Sequence, residues 1–177
     1  AEASDRAPDN IAAAERWQTA CERAGDEVSL TTSALRVARL ARTKGLATTL
    51  RQAVARLEML APEDRHVLRE MGELLLHVGE RERAMRFLTL AAEKFQILNE
   101  LAPALALCDQ IVEFEPNNPA LRTMRSVLLE GLGRTEEAAD EVAELVNVRV
   151  TEGRSVEAIE ELRRLLTLSP LRTAARE

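Results

Sequence analysis

The sequence is poor in the residues that build catalytic and metal sites. It has two histidines, two cysteines, one tryptophan and no tyrosine among its 177 residues. Cys21 and Cys108 lie far apart in the chain, so they form neither a metal-ligand cluster nor a disulfide framework. Both fall at apolar positions, where a free cysteine behaves as a small hydrophobic residue, and this favours a reduced compartment.

Other absences each disfavour a class of function. No run of about 18 apolar residues is present, so no membrane-spanning helix is expected. The net charge of -6 disfavours nucleic acid as the main ligand, because phosphate contacts require a basic surface. The chain also has no glycine-rich phosphate loop and no serine with a plausible base. We therefore expect no enzyme activity, no cofactor and no metal site.

The residues that are abundant are Ala, Leu, Arg and Glu, which lose little rotamer freedom in a helix. Hydrophobic residues make up 46% of the chain and charged residues 31%, a balance that excludes general disorder. The length suits one domain, 1–177, with a sizeable core. Sustained alternation of β-branched residues is missing, so the composition predicts an all-α protein. The bias towards Ala, Arg and Leu is typical of a bacterial protein.

The turn residues recur at a fixed interval of 54 positions. Proline suits the first turn of a helix, and glycine or asparagine suits the left-handed residue that ends one. The three series are Pro8, Pro62, Pro116 and Pro170; Gly25, Gly79 and Gly133; and Gly45, Asn99 and Gly153. This spacing predicts three blocks, 8–61, 62–115 and 116–169, followed by a short tail, 170–177.

Each block is expected to contain three helices, which gives about nine in all. In the second block the apolar pattern predicts helices over 63–78, 81–98 and 101–114. The stretch 146–150 is rich in valine, but we expect it to be helical because its counterparts in the other blocks are. The last helix of the third block has a predicted buried stripe of Ala158, Leu162, Leu165 and Leu166.

The second block places apolar, small and turn residues in an order that resembles a known repeat pattern. These residues are Leu68, Met71, Gly72, Leu75, Gly79, Ala84, Leu88 and Ala91. The pattern is that of the tetratricopeptide repeats. Segment 132–138 is similar to the turn inside one of these repeats, and segment 114–119 is similar to the link between two of them. The resemblance implies a right-handed α-solenoid of antiparallel helices. The period of 54 residues with three helices departs from the family's 34 residues with two.

The resemblance implies that the chain is a scaffold or adaptor that binds a peptide or helix of a partner protein. One alternative is self-assembly into a homo-oligomer through the ends of the solenoid, or continuation of a longer solenoid. Another is a sensor of a small anionic ligand at the basic first block. A cytoplasmic location is expected, with a periplasmic one left open. The sequence also leaves open whether the chain is a fragment or a processed protein.

One candidate partner-binding surface belongs to the first helix of the second block. His66, Arg69, Glu73 and His77 fall on one face of this helix, opposite its apolar stripe. The two histidines are three helical turns apart, a spacing that does not suit a zinc site. These four residues therefore form either an ordinary solvated face or part of a surface that binds a partner.

Four arginines complete the candidate residues. Arg36 and Arg39 lie in a basic stretch of the first block, which either attracts an acidic partner or an anionic surface or is an ordinary solvated face. Arg125 and Arg149 stand where the apolar stripes of the third block would otherwise continue. Because a buried unpaired charge is costly, each must pair with a nearby glutamate, extend into solvent, or face a partner.

Overall fold

A computed structural model describes residues 10–60 and 62–168. Within these ranges the chain folds into nine α-helices and has no strand, as the composition predicts. The helices are α1 (Ile11–Ala24), α2 (Glu27–Thr43), α3 (Ala47–Met59), α4 (Arg65–His77), α5 (Arg81–Ile97), α6 (Leu101–Val112), α7 (Pro119–Gly131), α8 (Thr135–Thr151) and α9 (Ser155–Leu168). Pro8, Pro170 and the predicted tail 170–177 lie outside the described residues.

The predicted helix boundaries of the second block are confirmed to within two residues. The helices expected over 63–78, 81–98 and 101–114 are α4, α5 and α6. The valine-rich stretch 146–150 lies inside α8, so its prediction as helix is also confirmed. The second helices of the three predicted blocks begin at Glu27, Arg81 and Thr135, which are 54 residues apart.

The residues predicted to end helices adopt the left-handed conformation. Gly25, Gly79 and Gly133 have φ values of 68°, 80° and 73°. The second series behaves in the same way, and Asn99, at φ 58°, is the one non-glycine residue with positive φ in the described chain. Asparagine tolerates this region better than other side chains, which explains why it replaces glycine there.

Side-chain caps fix the starts of several helices. Asn10, Asp26, Asp64 and Asn118 each accept a hydrogen bond from a backbone amide in the first turn that follows. Hydrogen bonds from the hydroxyl and the amide of Ser29 hold the pKa of Asp26 below its ordinary value. This cap therefore stabilises α2 above the carboxyl's unfolded pKa, and the contribution is lost as the pH falls through the lower folded pKa.

The contacts divide the chain into two compact units, Ala1–Ala91 and Ala92–Glu177, and the boundary falls inside α5. In the first unit α1 packs on α2, α2 packs on α3, and α4 contacts both α2 and α3. In the second unit α6, α7, α8 and α9 pack each on the next. Connections of two or three residues make the helices of a block antiparallel neighbours. The single domain and the right-handed superhelix stay predictions.

In each block, the first and second helices meet at two buried residues whose side-chain volumes are complementary. In the second block, a Cβ placed on Gly72 of α4 would lie 2.6 Å from the side chain of Leu88 on α5. The third block has a larger residue and a smaller one at these positions, Ser126 and Val142. The first block has Gln18 and Ala34, and all six residues are buried. The sequence thus keeps the summed volume while exchanging it between the two helices.

We predict that Gly72→Ser lowers the free energy of unfolding by about 1–2 kcal/mol, because the new side chain overpacks against Leu88. Adding Leu88→Val reproduces the pair found in the third block. The double variant should therefore be more stable than the sum of the two single effects allows, as urea unfolding will show. Leu57→Val, at another fully buried position, should instead add independently to Gly72→Ser. Strict additivity for the Gly72–Leu88 pair would contradict the prediction.

The last helix departs from its predicted burial. Of the expected stripe, Ala158 is buried and Leu165 is partly buried, whereas Leu162 and Leu166 are exposed. The prediction for Leu162 and Leu166 is wrong because, in the part of the chain that the structure describes, no later helix packs on α9. In the two earlier blocks, α3 is covered by α4 and α6 is covered by α7.

Both cysteines are buried and unbonded, as expected from their apolar positions. Burial, with a further contribution from the negative charge of Asp109, raises the pKa of Cys108 to about 12. The reactive thiolate is therefore scarce at neutral pH. In a Cys21→Ser variant, Cys108 should react with an aromatic disulfide reagent only at the rate of protein opening, and rapidly in urea. Immediate labelling of the native protein would contradict this.

Candidate interaction site

The structure brings four of the predicted residues together on the outer face of α4. His66, Arg69 and His77 are exposed and Glu73 is partly exposed. Nε of Arg69 lies 3.5 Å from Oε1 of Glu73, one helical turn away. The opposite face of α4 is buried in the first unit, so the helix divides into the two faces that the sequence predicts.

Arg39 extends this surface from α2. Its guanidinium makes two hydrogen bonds to the carboxylate of Glu70 on α4, and the one from Nη2 to Oε2 is 2.6 Å long. We call the side chains of Arg39, His66, Arg69, Glu70, Glu73 and His77 the α2–α4 polar surface. Arg36 lies one turn before Arg39 on α2 and is partly buried. Of the two candidate arginines of the first block, Arg39 therefore contacts α4 directly through Glu70.

Other arginines of the basic stretch are engaged by carboxylates of the same unit. Nε of Arg51 donates to Glu80 over 2.9 Å, and its Nη2 donates to the carbonyl of Val78 over 3.3 Å. Arg56 forms an ion pair with Glu22. Since these positive charges already have acidic partners, the basic stretch is less cationic in the fold than its sequence suggests.

An apolar cleft, which the sequence analysis did not predict, opens on the first unit between the start of α2 and the end of α3. Its volume is about 500 Å³, and it is lined by Leu30, Gln52, Ala55, Arg56, Met59 and Leu60. Met59 is 87% exposed and Val28, at the start of α2, is 79% exposed. Aligning the blocks at the 54-residue interval does distinguish Met59 and Val28 in the sequence. Their counterparts in the second block, Glu113 and Glu82, are acidic.

The second unit contains a cluster of paired charges on α6, α7 and α8. Nε of Arg125 donates to Asp109 on α6 over 2.7 Å, and its Nη1 donates to Glu141. Nη1 of Arg122 donates to the same Glu141 carboxylate over 3.1 Å, and its Nε donates to the carbonyl of Pro116 over 2.7 Å. The side chain of Glu141 is only 10% exposed. We call Asp109, Arg122, Arg125 and Glu141 the α6–α8 charge cluster.

Three members of this cluster occupy positions that are apolar in the second block. The counterparts of Arg122, Arg125 and Glu141 are Leu68, Met71 and Phe87, all of them buried. Three apolar side chains are therefore replaced by two arginines and a glutamate, and Asp109 balances the remaining positive charge.

Arg149 follows the same rule, since its Nη1 lies 3.4 Å from Glu152 and its side chain is mostly buried. Pairing with nearby acidic residues, one of the three possibilities that the sequence left open for Arg125 and Arg149, is confirmed. A role for them in partner binding stays a prediction.

We predict that Glu141→Ala lowers the free energy of unfolding by about 2 kcal/mol, because it leaves two largely buried guanidinium groups without their shared carboxylate. The triple variant Arg122→Leu/Arg125→Met/Glu141→Phe carries the second block's residues. Its free energy of unfolding should lie within about 1 kcal/mol of that of the natural protein, since replacing a whole buried ionic group by apolar side chains is often neutral. Chemical denaturation will compare them, and a triple variant less stable than Glu141→Ala would refute this account.

Comparison with known proteins gives a limited result. No family model matches the chain, and no curated protein matches it. Among solved structures, a crystal structure of MamA protein is similar at 12% identity, with 81% of this chain and 94% of that chain covered, at a TM-score of 0.36. A second, titled MamA AMB-1, has 18% identity, 79% and 92% coverage and a TM-score of 0.32. Scores this low carry no argument, so the fold assignment depends on the helices themselves.

In ranges 10–60 and 62–168, no group of three or more His, Cys, Asp or Glu side chains is arranged to hold a metal ion. None of the helices in those ranges combines the length and the apolar character needed to cross a bilayer.

Proposed function

We propose that this chain is a protein-interaction module, similar in kind to tetratricopeptide repeat scaffolds, that binds a helix or peptide of another protein without catalysing a reaction. Antiparallel helical hairpins bury their small and apolar faces against one another and leave their outer faces to solvent. Such rigid faces suit recognition of a helix or an extended peptide, because little order has to be gained by the module on binding.

The observation that carries this proposal is the apolar cleft beside Met59. A flexible, polarisable methionine at the edge of a cleft adapts to an incoming apolar side chain, and methionine is over-represented at such binding surfaces. Exposure of Met59 and Val28, where the second block has glutamate, costs solubility without helping the fold. An apolar side chain of the partner would fill the cleft and remove this exposed surface from water.

The charges beside the cleft and on the α2–α4 polar surface are of both signs. Arg56 lines the cleft and is paired with Glu22, and the α2–α4 polar surface of the same unit carries two arginines, two glutamates and two histidines. A partner helix with an apolar anchor and flanks that carry both signs of charge would match this combination. Charges of this kind chiefly steer the encounter and fix its orientation, whereas the buried apolar anchor supplies most of the affinity.

The direct experiment places a photo-reactive amino acid at position 59 and identifies the protein that becomes cross-linked in the native cell extract. Position 90 provides the control, because Leu90 is an exposed apolar residue of the same unit outside the cleft. The identified partner is then titrated calorimetrically. Met59→Glu, which introduces the second block's residue, should weaken its binding by at least about tenfold, and Leu90→Glu should leave it unchanged.

A second variant tests the α2–α4 polar surface on the same partner. The triple change His66→Ala/Arg69→Ala/Glu73→Ala should weaken binding by about threefold through the lost polar contacts and leave the salt dependence of association nearly unchanged, because it removes one charge of each sign. Equal cross-linking from positions 59 and 90, or unchanged affinity in Met59→Glu, would overturn the proposed function.

Self-association is a second candidate function, and one specific observation favours it. Helix α9 of the second unit has an exposed apolar face, although its apolar residues recur with the spacing of a helix that packs against a neighbour. A module of this kind would present its partner-binding surfaces in more than one copy, which raises the avidity for a repeated ligand.

A further inference from the structure

The outer side of α9 forms a continuous apolar face. Val156, Ile159, Leu162 and Leu166 follow one another at intervals of three, three and four residues, and all four are exposed. We call them the α9 apolar face. Ala158 and Leu165 lie on the adjoining side, each about one helical turn from Leu162, and are buried or partly buried where α9 packs on α8. The helix therefore has one broad apolar face, of which only part is covered in the second unit.

The repeat places one residue of this face, Leu162, at a helix-binding position. Leu162 is 43% exposed, whereas its counterparts Val54 on α3 and Cys108 on α6 are fully buried. Those two helices are covered by the first helix of the following block, α4 and α7 respectively. The α9 apolar face is thus centred on a position that contacts a helix in both earlier blocks.

Helix α1 of another copy is poorly suited to cover this face. Leu74 of α4 and Leu128 of α7 are fully buried in the helices that cover α3 and α6. The corresponding residue of α1 is Ala20, which is exposed. A head-to-tail arrangement would therefore lack the large apolar side chain that occupies this position in both internal cases.

The charges beside the face are complementary to those of the same helix in the opposite direction. Glu160 and Arg163 are exposed along one edge of the apolar face. Glu161 and Arg164 lie towards the unit, where Arg164 pairs with Glu130. When two identical helices pack antiparallel about a two-fold axis, the same edge of each helix meets its copy. Glu160 of one chain then faces Arg163 of the other, twice in each pair.

We propose that the α9 apolar face binds the α9 of a second copy of this chain in an antiparallel, two-fold symmetric pair. Leu162 lies next to the axis and packs against the partner chain's copy of itself, while Ile159 and Val156 meet the other chain's Leu162 and Leu166. This inference rests on self-association, the second candidate function, and it names the surface and the geometry.

The first test is sedimentation of the full chain over a wide range of concentration. The natural protein should show a reversible monomer–dimer equilibrium, and Leu162→Lys should weaken it by at least about tenfold, since it places two like charges next to the axis. Val127→Lys is the matched control, because Val127 on α7 is 42% exposed and lies in the same unit. It should leave the equilibrium unchanged. Circular dichroism will establish that both variants fold.

The second test exchanges the charges and fixes the direction of packing. Glu160→Lys and Arg163→Glu should each weaken self-association alone and restore it when the two variants are mixed. The double variant Glu160→Lys/Arg163→Glu should pair with itself as the natural protein does, and should not pair with the natural protein. In a parallel arrangement these edges do not meet their copies, so the double variant would mix freely with the natural chain and the proposal would be overturned.

The remaining outcomes separate the two levels of inference. A chain that stays monomeric at every concentration overturns self-association as a function, and with it the α9 pair. A dimer that Leu162→Lys leaves intact overturns the α9 pair alone. The Leu162→Lys variant is also tested for binding of the protein that is cross-linked at position 59. If that binding is lost while the sedimentation of the variant equals that of the natural chain, the α9 apolar face binds a different protein and the α9 pair is overturned.

Discussion

Every hairpin inside a block depends on a reversal of the backbone at a left-handed residue. Gly25 and Gly45 in the first block have this conformation, and so do their equivalents in the other two. The residue ends one helix by satisfying its last carbonyl groups and sends the chain back within two or three residues. Antiparallel packing of the neighbouring helices follows from that geometry, because so short a connection allows no other arrangement.

Close approach of the helices imposes the next constraint. Where Gly72 meets Leu88 there is no space for another heavy atom, and the equivalent pairs in the other blocks divide a similar volume differently. Side chains at such a crossing can therefore vary only in a coordinated way. The charge cluster of the second unit shows the same coordination in chemical terms. Arg122, Arg125 and Glu141 depart from the apolar pattern together, because Glu141 is the carboxylate that both guanidinium groups share in the fold.

The interaction surfaces proposed for this chain lie outside these constraints. Met59 and Val28 lie at the ends of hairpin helices, outside the crossings, and both have acidic counterparts in the second block. Leu162 lies on the face that a following helix covers in the two earlier blocks. The first proposed surface is thus a departure of the sequence from the repeat. The second keeps the apolar residue of the repeat and lacks, within the described residues, the helix that covers it.

The sequence by itself determined the helices and their ends. These properties depend on residues close together in the chain: a capping side chain such as Asp64 or Asn118 at the start, an apolar period of 3.6, and a glycine or Asn99 at the end. The repeating prolines Pro62 and Pro116 lie two residues before these caps and outside the first turn where they were expected. The sequence also determined which side of α4 is polar. Only the tertiary structure decided that Arg125 bonds to both Asp109 and Glu141, that Arg39 joins Glu70, and that an apolar cleft opens beside Met59. Periodicity identifies an apolar stripe but not what covers it. The predicted burial of Leu162 and Leu166 failed for that reason, because burial is a property of two packed elements and a helical pattern describes only one.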